Sequence, residues 1–369
     1  MVRKQTRLIV SSLLVAGLIT TWSSVVQADQ PTGLSNQSQN SALNKLLQEG
    51  RQRVDAKDIA GALVLYQQAA SLEPSNPRIF SAIAYLQTQQ GKFAEAITAY
   101  RQAIALEPNN ADFYYALGYS LAKAGDNAGA ATAYRRTIAL DRRRENAYLA
   151  LGVVLLHQAD YQGALKIGQE AIALDPKNVE AYQLVSSSLL KQGLTGQAIQ
   201  MLQRVAELSP SDSNVQLQLG TAWLSQGNKG AALYAYKRAL QLEPRNPLIH
   251  LQIGKILQSQ NNLDGALAAY QQALSLQPNL VEAQTALGEL LIAKQDYLRA
   301  IVAYQRLIEL APQNAQAYYK LALVLKERDR TSEAIKVLEK ARDLYHSQGK
   351  TEGEKKVEAA LQELQRSNG

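Results

Sequence analysis

Residues 213–246 read SNVQLQLGTAWLSQGNKGAALYAYKRALQLEPRN. An apolar segment around Gly220 is followed by a break at Gly227, and a second apolar segment around Ala232 ends just before Pro244. The same arrangement returns every 34 residues along most of the chain. A fixed period of this length is typical of stacked helical hairpins, so it predicts a chain made of many copies of one two-helix unit.

The register of the repeat is set by prolines that lie 34 residues apart. They are Pro74, Pro108, Pro176, Pro210, Pro244, Pro278 and Pro312. Arg142 stands at the one internal place in this series where a proline is missing. Counting back from the prolines gives nine units: 43–76, 77–110, 111–144, 145–178, 179–212, 213–246, 247–280, 281–314 and 315–348. The period therefore predicts an all-α superhelical solenoid of nine helical hairpins.

Small residues recur at fixed positions of the unit. Position 20 is Ala in all nine units, and position 8 is Gly in six of them. We expect Gly at position 8 to face Ala at position 20, because two closely packed helices leave little room for larger side chains. Gly between the helices supplies the left-handed residue that ends the first one. Gly168 replaces the usual aromatic residue at position 24 and predicts a void, and His250 lies at a position expected in the core.

The residues at these positions form a known pattern. Unit 111–144 carries Tyr114, Gly118, Ala130 and Tyr134 at the places where a family consensus has an aromatic residue, Gly, Ala and an aromatic residue. The chain therefore resembles the tetratricopeptide repeat (TPR) family over residues 43–348. The resemblance implies that the first helices line a concave groove through positions 2, 5, 9, 12 and 13 of each unit.

The C-terminal segment 349–369 is predicted to be a capping helix and tail. Val357, Leu361 and Leu364 form one apolar stripe opposite charged residues. Terminal repeats of a solenoid need such a helix to shield the last apolar face from water.

The N-terminus has the features of an export signal. Basic residues in the first seven positions precede an uncharged apolar run at 8–19, and small residues precede Asp29. This pattern predicts a signal peptide over 1–28, cleaved after Ala28, and a periplasmic or otherwise exported protein. The alternative is an uncleaved membrane anchor, the one way in which we expect this chain to contact a membrane. Residues 29–42 are polar and are predicted to be a flexible linker.

Composition excludes several classes of function. The chain has no cysteine, so disulfides and thiol chemistry are excluded. Its three histidines are not at metal-ligand spacing, and the repeats leave no room for a catalytic domain, so no enzyme is predicted. The formal net charge is +7, but three of the basic residues lie in the predicted signal peptide, so we do not expect nucleic-acid binding.

The expected groove carries aromatic and basic side chains. A surface of this kind suits an extended peptide or a partner protein, with tyrosines for apolar contact and charged groups for register. The predicted groove residues are Tyr85, Tyr115, Tyr119, Lys123, His157, Lys191 and Lys255. The alternative is that these are solvated helix residues. No unit has Lys at position 5, which disfavours the carboxylate clamp found in chaperone-binding TPR domains.

A basic patch coincides with the missing proline. It consists of Arg135, Arg136, Arg142, Arg143 and Arg144. One interpretation is a docking surface for an acidic partner or a lipid head group. The other is a solvated edge, partly offset by Asp141 and Glu145.

A metal site is a weaker hypothesis. Carboxylates could offer oxygen ligands to a hard cation such as Mn²⁺ or Ca²⁺. The candidates are Asp112, Glu180, Glu282 and Glu289. Carboxylates on an exposed helix face are usually solvated, so no cofactor is firmly predicted.

Signal peptide, nine repeats and no other domain together resemble the periplasmic TPR assembly factors of cyanobacteria. That resemblance implies a photosystem II assembly factor that binds the D1 precursor and delivers manganese. We therefore expect an exported protein–protein interaction scaffold. The alternatives are a periplasmic scaffold for polysaccharide or pilus export, a metal-carrier protein, and an accessory region of a glycosyltransferase.

Overall fold

The computed structural model describes residues 34–367, and the predicted signal peptide over 1–28 lies outside the described residues. Within that range the chain is all-helical, with nineteen α-helices and no strand. The helices are α1 (Leu34–Asp55), α2 (Ile59–Leu72), α3 (Pro77–Gln89), α4 (Phe93–Leu106), α5 (Ala111–Lys123), α6 (Asn127–Leu140), α7 (Glu145–His157), α8 (Tyr161–Leu174), α9 (Val179–Lys191), α10 (Thr195–Leu208), α11 (Ser213–Ser225), α12 (Lys229–Leu242), α13 (Pro247–Ser259), α14 (Leu263–Leu276), α15 (Val281–Ala293), α16 (Tyr297–Leu310), α17 (Ala315–Lys326), α18 (Thr331–Ser347) and α19 (Thr351–Ser367).

Helices α1 to α18 pair into nine consecutive hairpins, numbered here from 1 to 9, in which odd-numbered helices come first. The first helices of hairpins 2 to 8 have 13 residues each, and the second helices of hairpins 1 to 8 have 14. The predicted fold class is confirmed.

The hairpins group into two compact units. Unit 1 ends at Leu208 and contains hairpins 1 to 5, and unit 2 begins at Ser209 and contains hairpins 6 to 9 with α19. Each unit is described by itself below.

The turn inside every hairpin has one left-handed residue. Its φ is positive at position 15 of all nine 34-residue repeats: Lys57, Gly91, Gly125, Ala159, Gly193, Gly227, Asn261, Gln295 and Asp329. The four glycines confirm the predicted role of Gly at this turn. Because five other hairpins adopt the same shape without Gly, the backbone geometry is required and the residue is not.

The second helix of hairpin 3 ends without a proline. Helix α6 stops at Leu140, and the Asp141 carboxylate accepts a hydrogen bond from the Arg143 amide at 3.0 Å. The Tyr148 hydroxyl then donates to the Arg142 carbonyl at 3.1 Å. The turn after hairpin 4 has the same two contacts beside Pro176, so the turn keeps its shape whether or not the proline is present. Where His346 replaces the ninth proline, α18 instead continues to Ser347.

The packing partner of Gly at position 8 differs from the prediction. A Cβ atom on Gly118 would lie 2.7 Å from the Tyr134 ring, and one on Gly220 would lie 2.5 Å from the Tyr236 ring. Position 8 therefore faces the aromatic residue at position 24, because the ring lies against the helix backbone. Ala at position 20 is fully buried in every hairpin, from Ala62 to Ala334.

The predicted void at Gly168 is wrong. Side chains of the next hairpin fill the space, because a Cβ on Gly168 would lie 2.7 Å from Val185 Cγ2 and 3.4 Å from Leu184 Cδ2. Leu184 also covers Gly152, the partner position in the same hairpin, where a Cβ would lie 2.2 Å away. Hairpins 4 and 5 of unit 1 thus interlock through Leu184.

His250 was expected in the core but lies at its edge. It is half-buried, and its Nε2 lies 3.2 Å from the Pro244 carbonyl oxygen. Because that oxygen only accepts, Nε2 carries the proton. The residue thus replaces the Tyr hydroxyl that makes the same contact in hairpin 5, where Tyr182 donates to the Pro176 carbonyl at 3.4 Å.

Both ends of the repeat array are helical. The linker predicted for 29–42 is helical from Leu34 onward, since α1 has 22 residues. Extending an existing helix costs little compared with starting one, so polar residues can continue it toward the N-terminus. At the other end, Val357, Leu361 and Leu364 of α19 are buried, as a capping helix requires.

Candidate functional site: the first-helix face of unit 1

The first helices of unit 1 contribute one continuous surface, called here the first-helix face, through positions 5, 9, 12 and 13. Neighbouring first helices are joined inside it. Thr88 of α3 and Ser120 of α5 are both buried, and their hydroxyl oxygens lie 3.1 Å apart. Each hydroxyl also lies within hydrogen-bond distance of a carbonyl of its own helix, Thr88 of Ala84 and Ser120 of Ala116, so one of the two donates across the pair while the other donates to its own helix.

Two of the three predicted groove tyrosines lie on this face. Tyr85 and Tyr119 occupy position 9 of hairpins 2 and 3 and are half-buried. The ammonium group of Lys123 lies 5.5 Å from the centre of the Tyr119 ring, a cation–π distance. Burial also raises the pKa of the Tyr119 hydroxyl.

Tyr115 does not line the groove as predicted. It is 1% exposed and packs with its ring centre 5.6 Å from that of Tyr134. The Arg144 guanidinium lies 4.6 Å from the Tyr115 ring centre and forms an ion pair with Asp112. Tyr115 is thus enclosed by Tyr134 on one element and Arg144 on another, and its role is in packing.

Three predicted basic residues lie at equivalent places along the face. Lys123, His157 and Lys191 are the last residues of α5, α7 and α9, and all three are exposed. Partial burial lowers the pKa of His157 below its usual value of 6.5, so it is mainly neutral at pH 7. No ion pair involves any of the three among the described residues.

The tyrosine at position 24 can aim its hydroxyl at the first helix of its own hairpin. In hairpin 6 the Tyr236 hydroxyl lies 3.1 Å from Thr221 at position 9. In hairpin 7 the Tyr270 hydroxyl donates to Gln258 at position 12, over 2.7 Å. The position-24 hydroxyl therefore normally has a partner on its own first helix.

Hairpin 3 breaks that rule. Tyr134 is 0% exposed, and its hydroxyl has no hydrogen-bond partner among the described residues. Position 12 is Ala122, which cannot bond, and position 9 is Tyr119. Burial raises the pKa of Tyr134 well above its usual value, and the neighbouring Tyr115 and Tyr119 add to the effect. The Tyr115 hydroxyl is unpartnered as well. A buried hydroxyl without a partner costs free energy, so hairpin 3 differs here from hairpins 6 and 7, where the equivalent hydroxyl is bonded.

Tyr304 of hairpin 8, in unit 2, has the same property. It is 1% exposed, its hydroxyl is unpartnered, and position 12 of its hairpin is Ile292. Burial raises its pKa, and Glu289 adds to the effect. The sequence analysis missed both hydroxyls. Comparing the residue at position 24 with those at positions 9 and 12 of the same 34-residue repeat could have found them.

Four of the five arginines of the basic patch are exposed, and the fifth is held in contacts. Arg135, Arg136, Arg142 and Arg143 are exposed. Arg144 is not a free member, because it is held between Asp112 and Tyr115 and its side chain is only 13% exposed. Arg136 lies 5.8 Å from the Tyr114 ring centre. A docking role for the four exposed arginines stays a prediction.

Lys255 belongs to unit 2, where it pairs with an acid. Its ammonium group forms an ion pair with Glu282 of the next first helix. Both residues were predicted from their positions on the same face, Lys255 for a partner and Glu282 for a metal. Because the two opposite charges pair with each other, the presence of both residues on this face is explained without a bound partner or metal.

The candidate metal ligands are not brought together. Among the described residues, no group of three or more His, Asp or Glu side chains could hold a metal ion. Asp112 is paired with Arg144 and Glu282 with Lys255, while Glu180 and Glu289 belong to different units. None of the described helices is long and apolar enough to cross a membrane.

Comparison with known proteins agrees with the repeat register. Models of the tetratricopeptide repeat match residues 84–125, 115–179, 155–219, 222–261, 254–295, 288–328 and 316–345. Together they cover well over half of the chain. The protein belongs to the tetratricopeptide repeat family. TPR repeats are typically non-enzymatic scaffolds for interactions between proteins, and this TPR protein has the all-helical hairpins of such a scaffold.

Solved TPR structures resemble the chain at low sequence identity. A TPR protein from Parabacteroides merdae ATCC 43184 is 17% identical with a TM-score of 0.50, covering 68% of this chain and 99% of its own. The C-terminal part of a TPR repeat-containing protein from Cytophaga hutchinsonii is 17% identical with a TM-score of 0.57, covering 64% and 98%. These likenesses show the fold alone. YrrB, described as a TPR protein with an unusual peptide-binding site, has a TM-score of 0.45 at 22% identity over 52% of this chain and 98% of its own. No curated protein matches the chain.

Proposed function

We propose that this TPR protein is an exported scaffold that binds an extended segment of a partner protein on the first-helix face of unit 1. One observation carries the proposal. Lys123, His157 and Lys191 end three successive first helices, are exposed, and form no ion pair within the described chain. A row of two lysines and a histidine at equivalent positions, beside a half-buried tyrosine, suits repeated polar contacts with one extended chain.

Export is the second part of the proposal and rests on sequence. The basic residues in the first seven positions, the apolar run at 8–19 and the small residues before Asp29 support it. Fractionation of cells and N-terminal sequencing of the exported protein test it. We expect the mature chain to begin at Asp29, and retention of the full-length protein in the cytoplasm would contradict export.

The narrower role in photosystem II assembly stays outside the proposal. It rests on a likeness in architecture to the cyanobacterial assembly factor PratA, and no contact in the described residues favours it. The same holds for manganese delivery, for which the described carboxylates offer no group of ligands. Scaffolding of polysaccharide or pilus export is equally without a specific supporting contact.

Site-specific photocrosslinking tests the proposed face. A photoreactive phenylalanine analogue replaces Tyr119 in one variant and Val64 in another, in cells that export the protein. Val64 is the matched control, because it is 52% exposed and lies on a second helix of the same unit. We expect a discrete crosslinked partner from position 119 and none of the same mass from position 64. Equal crosslinking from both positions, or none from position 119, would contradict binding on this face.

A further inference from the structure

The first-helix face of hairpins 3 to 5 has a chemical preference that the proposed function leaves open. Two kinds of group converge there: the row of Lys123, His157 and Lys191, and the unpartnered hydroxyl of Tyr134. All of them can donate a hydrogen bond; the two lysines also carry positive charge, whereas the Tyr134 hydroxyl and the neutral form of His157 can accept as well.

The acids nearest to the row in sequence form no ion pair with it among the described residues. Asp126 and Asp160, each three residues beyond a member of the row, cap the following helices. Asp126 accepts from the Gly129 amide at 2.8 Å, and Asp160 accepts from the Gly163 amide at 2.9 Å. The equivalent place after Lys191 is Leu194. The two lysines of the row are therefore able to pair with acids of a partner.

The row alone would not indicate a ligand. A cation at the last residue of a helix also offsets the partial negative charge of the final carbonyl groups. The Tyr134 hydroxyl is the independent observation, because burial without a partner brings no benefit to the fold. In hairpins 6 and 7 this hydroxyl reaches position 9 or 12 of the first helix, and in hairpin 3 these positions are Tyr119 and Ala122.

The Tyr134 hydroxyl lies close enough to Tyr119 for that residue to raise its pKa, and the Tyr119 ring is in contact with Lys123. The two side chains contact each other through the cation–π pair and lie on the same helix turn. Side chains at a surface change rotamer within nanoseconds, so a carboxylate that attracts Lys123 away from the ring also frees Tyr119 to move. The hydroxyl of Tyr134 can then donate to the incoming oxygen.

We propose that the first-helix face of hairpins 3 to 5 receives the acidic side chains of an extended protein segment, with the Tyr134 hydroxyl as a donor on its floor and Lys123, His157 and Lys191 along its edge. This inference rests on the proposed function, since it names the chemistry of the segment bound there.

The geometry sets the spacing of the acids. Packed helices lie about 8–10 Å apart. An extended segment advances about 3.3 Å per residue, so every third residue meets the next member of the row. A segment with Glu at every third position therefore matches the face.

Binding of synthetic peptides to the full chain tests this inference by fluorescence anisotropy. The probe is a labelled, C-terminally amidated peptide of about twelve residues with Glu at every third position, and its matched control has Gln at the same positions. We expect the Glu peptide to bind at least about tenfold more tightly and to weaken as salt is raised. Equal affinities would overturn the proposal.

Protein variants locate the site. Lys123→Gln combined with Lys191→Gln is expected to weaken binding of the Glu peptide by about tenfold, whereas Lys166→Gln on a second helix of the same unit leaves it unchanged. Tyr134→Phe keeps the ring but removes the donor, and we expect a loss of about three- to tenfold. Tyr304→Phe is the matched control in unit 2 and has no expected effect. Equal losses from both Tyr variants, or from the Lys variants and Lys166→Gln, would overturn the proposal.

Two further outcomes separate the possibilities. A free-acid peptide that binds while its amidated counterpart does not would show recognition of a chain terminus and contradict the side-chain proposal. A partner that crosslinks at position 119 but is insensitive to the lysine substitutions would leave the proposed function standing and overturn this inference alone. No crosslink at position 119 and no peptide binding would overturn both.

Discussion

Tyr134 lies directly against the backbone of Gly118, so closely that a Cβ atom on Gly118 would lie 2.7 Å from its ring. The same relationship recurs between Gly254 and Tyr270, where the distance would be 2.4 Å. The ring and the glycine thus form one packing element of the hairpin, although the sequence pattern places them sixteen residues apart.

Gly118→Ala is expected to destabilise the protein by about 1–3 kcal/mol, because the added methyl group displaces the Tyr134 ring. Tyr134→Leu in the same chain should recover part of that loss, since hairpin 9 combines Ala322 with Leu338 at these positions. Urea denaturation of both single variants and the double variant measures the coupling.

Additive losses in this cycle would contradict the packing relationship. Hairpin 2 is the natural comparison, because it combines Ala84 with Tyr100. There we expect Ala84→Gly to have a smaller effect than Gly118→Ala, since the ring already accommodates the methyl group.

Ala159→Gly is expected to stabilise the protein by up to about 1 kcal/mol. Ala159 has φ of 60°, a left-handed conformation that costs an L-residue free energy and costs Gly none. The reverse change, Gly193→Ala at the same position of the next hairpin, should destabilise by about 1–2 kcal/mol. A Cβ on Gly193 would have no neighbour within 4 Å, so only the backbone term is tested. Effects of the same sign in both variants, measured by urea denaturation, would argue against strain at this turn.

Arg144→Ala is expected to destabilise the protein by about 1–2 kcal/mol, because it removes both the cation–π contact with Tyr115 and the ion pair with Asp112. Arg143→Ala is the matched control, since Arg143 is exposed and its change should stay within about 0.5 kcal/mol. Thermal unfolding at low and high salt separates the two contributions, because only the ion pair is strongly screened. Equal effects of both substitutions would contradict a stabilising role for the contacts of Arg144 with Tyr115 and Asp112.

His157 predicts a pH dependence of stability. Burial holds its pKa in the folded chain below 6.5, so the unfolded chain takes up a proton first as the pH falls. Between the two pKa values the unfolded state carries more protons, and the free energy of unfolding therefore decreases from pH 7 toward pH 5.5 and levels off below the folded pKa. His157→Gln should remove this slope.

Denaturation at pH 7.5, 6.5 and 5.5 measures the effect of His157. This window lies above the three aspartates whose pKa is lowered from 3.8: Asp58 by its bond from the Gly61 amide, Asp264 by its bond to Lys294 and Asp296 by its bond to Arg299. They lose their stabilising pairs only at lower pH. Identical slopes for the parent protein and His157→Gln would show that other groups control stability in this range.

The repeat period was sufficient to predict the fold, because a 34-residue spacing with Ala at position 20 in every unit leaves one way to bury the apolar positions. The period could not predict which way a side chain turns or which residues pair between neighbouring helices. Tyr115 is at a groove position by register, yet it turns into the core beneath Arg144. Register likewise placed Lys255 and Glu282 on one face without showing that they pair.

The period also could not show where a neighbouring hairpin fills the space left by a missing side chain. Gly168 lacks an aromatic side chain, and only the neighbouring hairpin could show that Leu184 and Val185 fill its place. The Tyr134 hydroxyl was overlooked for a related reason, since its lack of a partner depends on Ala122, a residue with no chemistry of its own.

The buried hydroxyl pair of Thr88 and Ser120 has one more consequence. It joins α3 to α5, the helices that carry Tyr85 and Tyr119, and so sets the spacing of these two helices before anything binds. A segment that binds across both helices therefore meets a preorganised surface, and association costs less entropy than binding to a flexible surface would.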